Sequence, residues 1–180
     1  AEDRGFRDHG GFSVAALVRA AWANVRSGEV EQGASTITQQ YVDLTTPGPG
    51  RSVRDKMREV AAAARLEDEL GKDEVLDRYL NVVPFGRDAI GIDQAARVYF
   101  RVPAAELSVN QAATLAGMIA APSAYDPERN PEDARTRRDF VLRGMAGAGW
   151  LEQQRADEVI AAPLPEVAQE SLVQWGGDDL

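Results

Sequence analysis

The sequence predicts an almost entirely helical domain. Three observations carry that expectation: apolar residues recur at helical spacing along most of the chain, no convincing run alternates strictly every second residue, and glycine or proline interrupts the pattern at helix-length intervals. With 180 residues, of which 44% are hydrophobic and 27% charged, the chain is long enough to bury one core and lies far from the disordered class.

The first expected helix carries Val14, Leu17, Val18, Ala21, Trp22 and Val25 on one stripe, with Ser13 as N-cap and Gly28 as stop. A short second helix is expected over 35–44, before Thr46-Pro47-Gly48-Pro49-Gly50, a turn that no helix crosses. Ser52 then caps a long helix running to about Leu70, with Asp55 completing a pattern like a capping box and Gly71 closing it. The pattern restarts over 72–83 and breaks at Pro84 and Gly86. Further helices are expected over 92–100, from Ser108 to about Ala121, from Asn130-Pro131 to Gly144, and over 152–161. After Pro163 and Pro165 the composition turns acidic and glycine-containing, so residues 165–180 read as a linker or tail and residues 1–164 as the domain.

Composition also removes function classes. A net charge of -9 argues against a nucleic-acid partner, since affinity there rests on Lys and Arg neutralising phosphates. The absence of cysteine rules out disulfides and thiolate metal sites, and one histidine leaves little scope for zinc. The longest apolar run, near residues 112–122, is about half of the ~20 residues a membrane span requires. The first residues read as the interior of a longer chain, so any membrane anchor is expected outside this numbering.

Four polar clusters stand out from the helical background. Glu2, Asp3, Phe6 and His9 lie just before the first helix; alone, such terminal acids are most often solvated and a single histidine most often structural. Gly33 to Gln40 packs Ser35, Thr36, Thr38, Gln39 and Gln40 into six positions, more than a helix cap requires. Hydroxyls and amides both donate and accept, which suits a saccharide, and a helix start suits an anion; the plainer alternative is a capped helix whose polar face meets water. Around Arg51, Lys56 and Glu59 share a helix face at i,i+3, as they would in an ordinary surface ion pair. The fourth cluster, Tyr79-Leu80-Asn81 with Phe85-Gly86, mixes packing residues with a phenol and an amide.

In their order and spacing these four clusters resemble the motifs of glycosyltransferase family 51, the peptidoglycan transglycosylase domain of class A penicillin-binding proteins. The likeness continues through Ala95 to Phe100, Leu115-Ala116-Gly117, Ala121-Pro122-Ser123 and Arg137-Arg138, to about Leu164. It implies a lysozyme-like helical lobe with a smaller membrane-facing lobe, and a domain that polymerises lipid II into β-1,4 glycan with inversion, releasing undecaprenyl pyrophosphate. By that resemblance Glu2 is the general base and Glu59 the second catalytic acid. Asp3, Phe6, His9, Ser35, Thr36, Gln39, Gln40, Arg51, Lys56, Tyr79 and Asn81 bind substrate. Glu2 and Glu59 are the candidate ligands of a divalent ion, Mg or Mn. The implied setting is the extracytoplasmic face of the bacterial cell membrane. The implied partners are lipid II, the growing glycan, the membrane surface, a C-terminal transpeptidase domain and cell-wall synthesis proteins.

Four positions depart from the family pattern: Val102 stands where a basic residue is usual, Pro84 where an aromatic is frequent, and two acids reverse the expected sign. Asp43 stands where a lysine is usual and Asp55 where an arginine is usual, both near the expected pyrophosphate site, where like charge weakens binding of an anionic donor. Two further readings therefore stay open: a degenerate domain that binds lipid II without turnover, and a lysozyme-like enzyme that cleaves glycan.

Overall fold

The computed structural model describes residues 6–7, 36–46 and 53–168. Among these residues the expected all-α class is observed: seven α-helices and a 3-10 turn, with one isolated bridge between Pro84 and Ile90 in place of any strand. The helices are α1 (Ile37–Thr45), α2 (Val53–Leu70), α3 (Lys72–Val82), α4 (Ile92–Phe100), α5 (Val109–Met118), α6 (Pro131–Gly147) and α7 (Gln153–Ala161). The helix expected over 13–28 lies outside the described residues, as does its cap Ser13.

Most boundaries follow local chemistry. The Thr36 hydroxyl accepts from the Gln39 amide while the Gln39 side chain accepts from the Thr36 amide, so α1 starts two residues later than its polar run. Ser108 and Gln111 repeat the same box at α5. Gly71, at φ +75°, both accepts the end of α2 and opens α3: its amide bonds Glu67 and its carbonyl accepts from Val75. Two ends moved. α5 stops at Met118 rather than near Ala121, and α6 runs to Gly147, past the Gly144 at which glycine was expected to end it. The 3-10 turn Ala104–Glu106 was not expected; Asp93 organises it by accepting from the Ala104 amide.

The main core gathers Phe6, Ile37, Val75, Tyr79, Val83, Phe85, Ala89, Tyr99, Phe100, Leu115 and Met118, joining α1, α3, α4 and α5. A smaller cluster of Ala113, Val141, Leu142 and Val159 binds α5, α6 and α7. Two buried arginines then fix what apolar packing leaves loose. Arg138, its side chain fully buried, donates to Asn110 and to the carbonyls of Ile160, Ala162 and Pro163, satisfying the open end of α7.

Arg87 is the second. Gly86, Arg87 and Asp88 all have positive φ, a conformation that side-chain-bearing residues adopt only when the surroundings enforce it. Here Arg87 forks onto both Asp126 oxygens at 2.8 Å, reaches Glu128 at 2.7 Å and lies over the Tyr99 ring. It also donates to the Ala168 carbonyl, whose own amide bonds the Tyr99 carbonyl at 2.8 Å. Residues 165–168, expected to begin a linker, are therefore docked on the body, and Val167 packs against the main core.

Burial by itself would push the Asp126 carboxyl up, but the Arg87 fork and the Glu128 and Arg129 amides hold it below the ordinary aspartate range. A carboxyl that titrates lower folded than unfolded stabilises fully above its unfolded value, about pH 4, and loses that contribution as pH falls through the folded value. Asp126→Asn is expected to lower Tm by roughly 6–12 °C at neutral pH and to flatten its decline as pH falls below about 4, read from melts across pH. Arg138→Met keeps the aliphatic volume but strands buried carbonyls. A loss of about 3 kcal/mol is expected, with hydrogen exchange accelerating first over residues 153–163 and no recovery in Arg138→Lys, whose point charge cannot span the same acceptors.

Candidate active site

The described part of the site is a polar seam between α1, α2 and α3. α1 is short and amphipathic, and its buried side presents Ile37, Thr38 and Gln39. Gln40, half-buried on the same helix, accepts a 2.6 Å hydrogen bond from the Tyr79 hydroxyl of α3. Tyr79 is otherwise enclosed in the main core. This contact joins the second polar cluster of the sequence to the fourth across 39 positions.

The structure places the other expected residues unevenly. Thr36 and Gln39 are buried and bond each other as the capping box, so the structural role weighed for this segment is present at both. Phe6 is buried in the main core. Glu59 is half-buried one turn before Ala63 and two turns before Glu67, on the α2 flank that meets the core. Asn81 is exposed and donates to the Asp77 carbonyl of its own helix, apart from the Tyr79–Gln40 contact. Its backbone is nonetheless tightly fixed. Gly91, at φ +82°, approaches so closely that a Cβ there would meet the Asn81 carbonyl at 2.6 Å. Glu2, Asp3, His9, Ser35 and Arg51 lie outside the described residues, as do the side chains of Asp55 and Lys56. Asp43 stands exposed on α1, one turn beyond Gln39.

Three residues of the seam were not singled out from the sequence as binding or catalytic. The Thr38 hydroxyl donates to Glu67, whose other oxygen meets the Lys72 ammonium at 2.5 Å, and that ammonium sits 4.5 Å from the centre of the Phe6 ring. Glu67 and Lys72 read as surface charges in an Arg- and Glu-rich helix pair. The one available signal was position: Glu67 shares a face with Ala63 and Leu70, which helical spacing assigns to the core. Chemically the seam holds hydroxyl and amide groups at fixed positions around the buried Glu67 carboxylate.

Known proteins resemble this chain in sequence and in fold. A family model described as Transglycosylase matches residues 1–146. The chain is similar to penicillin-binding protein 1A of Pseudomonas aeruginosa, 38% identical over 164 residues, which is 91% of this chain and 20% of the relative. The protein of the same name from Aquifex aeolicus is 38% identical, over 91% of this chain and 22% of its own. That of Mycolicibacterium smegmatis is 41% identical, over 91% and 21%. The chain thus spans about a fifth of the length of these relatives. A 2.6 Å crystal structure of penicillin-binding protein 1A from Haemophilus influenzae matches the fold with a TM-score of 0.52 at 22% identity, covering 79% of this chain and 17% of that one. That likeness agrees with the lysozyme-like helical lobe. With the family model spanning residues 1–146 and relatives alike over nine-tenths of the sequence, this chain belongs to the transglycosylase family, the glycosyltransferase family 51 that its motifs resemble.

Proposed function

We propose that this domain, residues 1–164 together with the docked segment that ends at Ala168, polymerises lipid II into β-1,4 glycan strands and releases undecaprenyl pyrophosphate. The observation that supports the reading best is the Tyr79–Gln40 hydrogen bond, which draws two family motifs into one seam against the core cluster that holds Phe6. In this reading Glu2 is the general base. The attacking sugar hydroxyl is neutral and must lose a proton as it bonds to the anomeric carbon, so a carboxylate within hydrogen-bond reach accelerates the step. Attack opposite the departing pyrophosphate inverts that carbon, turning an α-linked donor into a β-linked product. Negative charge grows on the leaving group, and Arg51, Lys56 and the Ser35-Thr36 helix start are the groups assigned to meet it.

Glu59 orders the cations around that phosphate, and Asp3, Phe6, His9, Gln39, Gln40, Tyr79 and Asn81 line the sugar and phosphate path. A divalent ion, Mg or Mn, would supply further screening of the pyrophosphate, with Glu2 and Glu59 as its ligands. Among the described residues no three acidic or histidine side chains converge as a metal site, and Glu2 lies outside them. The lipid tail of the donor sets the location, at the extracytoplasmic membrane surface. No described helix is long and apolar enough to cross a membrane. A transpeptidase domain and cell-wall synthesis proteins complete the set of partners, in keeping with relatives about five times longer.

Labelled lipid II, supplied with a divalent ion to the full chain at a membrane surface, should be converted to polymer, and Glu2→Gln should slow this by on the order of 100-fold. Binding without product, or shortening of pre-made glycan, would sink the proposal. The second expectation concerns the two acids. Asp43→Lys combined with Asp55→Arg should lower KM for lipid II by about threefold to tenfold at low salt, an advantage that fades near 1 M salt as screening shortens the range of these charges. An unchanged KM would show that neither acid faces the donor phosphate.

A further inference from the structure

Tyr79 and Tyr99 are both enclosed in the main core, but their hydroxyls are used differently. Tyr99 donates to the Phe85 carbonyl at 2.9 Å, a backbone partner of the kind that satisfies most buried phenols. Tyr79, 1% exposed, instead donates at 2.6 Å to the side chain of Gln40, which is half-buried on α1. The core thereby grips one end of a side chain that reaches the surface.

The length of this bond decides which end. A separation of 2.6 Å suits an O–H···O bond and falls short of the ~2.7–3.2 Å of an amide nitrogen donating to oxygen, so Gln40 presents its carbonyl to the phenol. The carboxamide is planar, and its NH2 group therefore faces away from Tyr79. Among the described residues nothing accepts from that nitrogen, and it is not closed off from solvent. A free glutamine samples several rotamers and turns its carboxamide over, exchanging donor for acceptor. Gln40 can do neither without breaking its bond to a ring that the core holds still.

We infer that Tyr79 is a positioning residue: from one layer behind the substrate path it locks the Gln40 carboxamide with its NH2 group outward, as a hydrogen-bond donor to acceptor oxygens of lipid II. This rests on the reading of the domain as a lipid II polymerase given above. Tyr79 itself is too deeply buried to touch substrate. Its effect falls on KM rather than kcat, because a long side chain already held in its bound orientation loses no further freedom when substrate arrives.

The test uses the full chain with labelled lipid II and reads KM and kcat separately. Tyr79→Phe should raise KM about twofold to tenfold, with kcat within twofold of the parent. Gln40→Met, which fills the space without an amide, should raise KM at least as far, and adding Tyr79→Phe to it should change KM by less than twofold. Gln40→Glu still accepts from the phenol but turns an oxygen outward where the NH2 group stood, so it too should raise KM more than twofold. A KM within twofold of the parent in any of these single variants overturns the inference, as does a loss confined to kcat, which marks loosened packing. A further rise in the double variant overturns it as well, since Tyr79 would then act by another route. Should Tyr79→Phe fail to fold, 15N relaxation of the Gln40 side-chain NH2 in the substrate-free parent decides: its order parameter should exceed about 0.6, the limit of flexible groups, and a lower value overturns the inference. A parent that makes no polymer refutes the proposed function, while the relaxation measurement, which requires no substrate, still decides whether Tyr79 holds the carboxamide.

Discussion

The carboxylate of Glu67 is buried between α1, α2 and α3, and a buried charge is tolerated only when its partners are in place. One partner comes from each neighbouring helix, the Thr38 hydroxyl and the Lys72 ammonium. Apolar packing alone would let these three helices slide or rotate at little cost, whereas leaving Glu67 half-satisfied costs several kcal/mol in the order of magnitude typical of such groups. Docking of the three is therefore a joint event. The Tyr79–Gln40 bond and the placement of Phe6 follow from the register that this charge sets.

The same logic recurs away from the seam, carried by arginine. Arg138 closes the end of α7 and Arg87 holds the left-handed turn at Gly86 to Asp88 against Asp126 and the docked segment ending at Ala168. Both use a planar fork to satisfy several acceptors at fixed angles, which lysine cannot do. The division is physical: apolar clusters supply most of the burial, and three buried charged groups determine which of the many helical packings is adopted. In the proposed reading, where the site holds sugar and phosphate groups, such a scaffold fixes its walls before substrate arrives.

The polar octet from Gly33 to Gln40 shows how one segment meets two demands. Thr36 and Gln39 begin the helix, Thr38 anchors it to Glu67, and Gln40 ties it to Tyr79. Such a density of hydroxyls and amides is what makes the motif recognisable, and much of it goes into aiming a single short helix. Asp43, one turn further on, stands in solvent with no packing reason for its sign.

Helix content, most helix starts and family membership were legible in the sequence, since each depends on neighbours within one or two turns: apolar spacing, the start at Ser108, the stops at Gly71 and Pro84. Ends such as Met118 and Gly147 were less so, because tertiary contacts rather than local breakers decide where fraying stops. The motifs supplied Gln40, Tyr79 and Glu59 as site residues, but not that Gln40 and Tyr79 touch. Nor could the sequence separate Glu67, Lys72, Arg87 and Arg138 from the many surface charges around them. A charged residue in a helix reads the same whether it faces water or a partner 30 or 40 positions away, and only the packed structure, by removing the water, decides which charges must be paired.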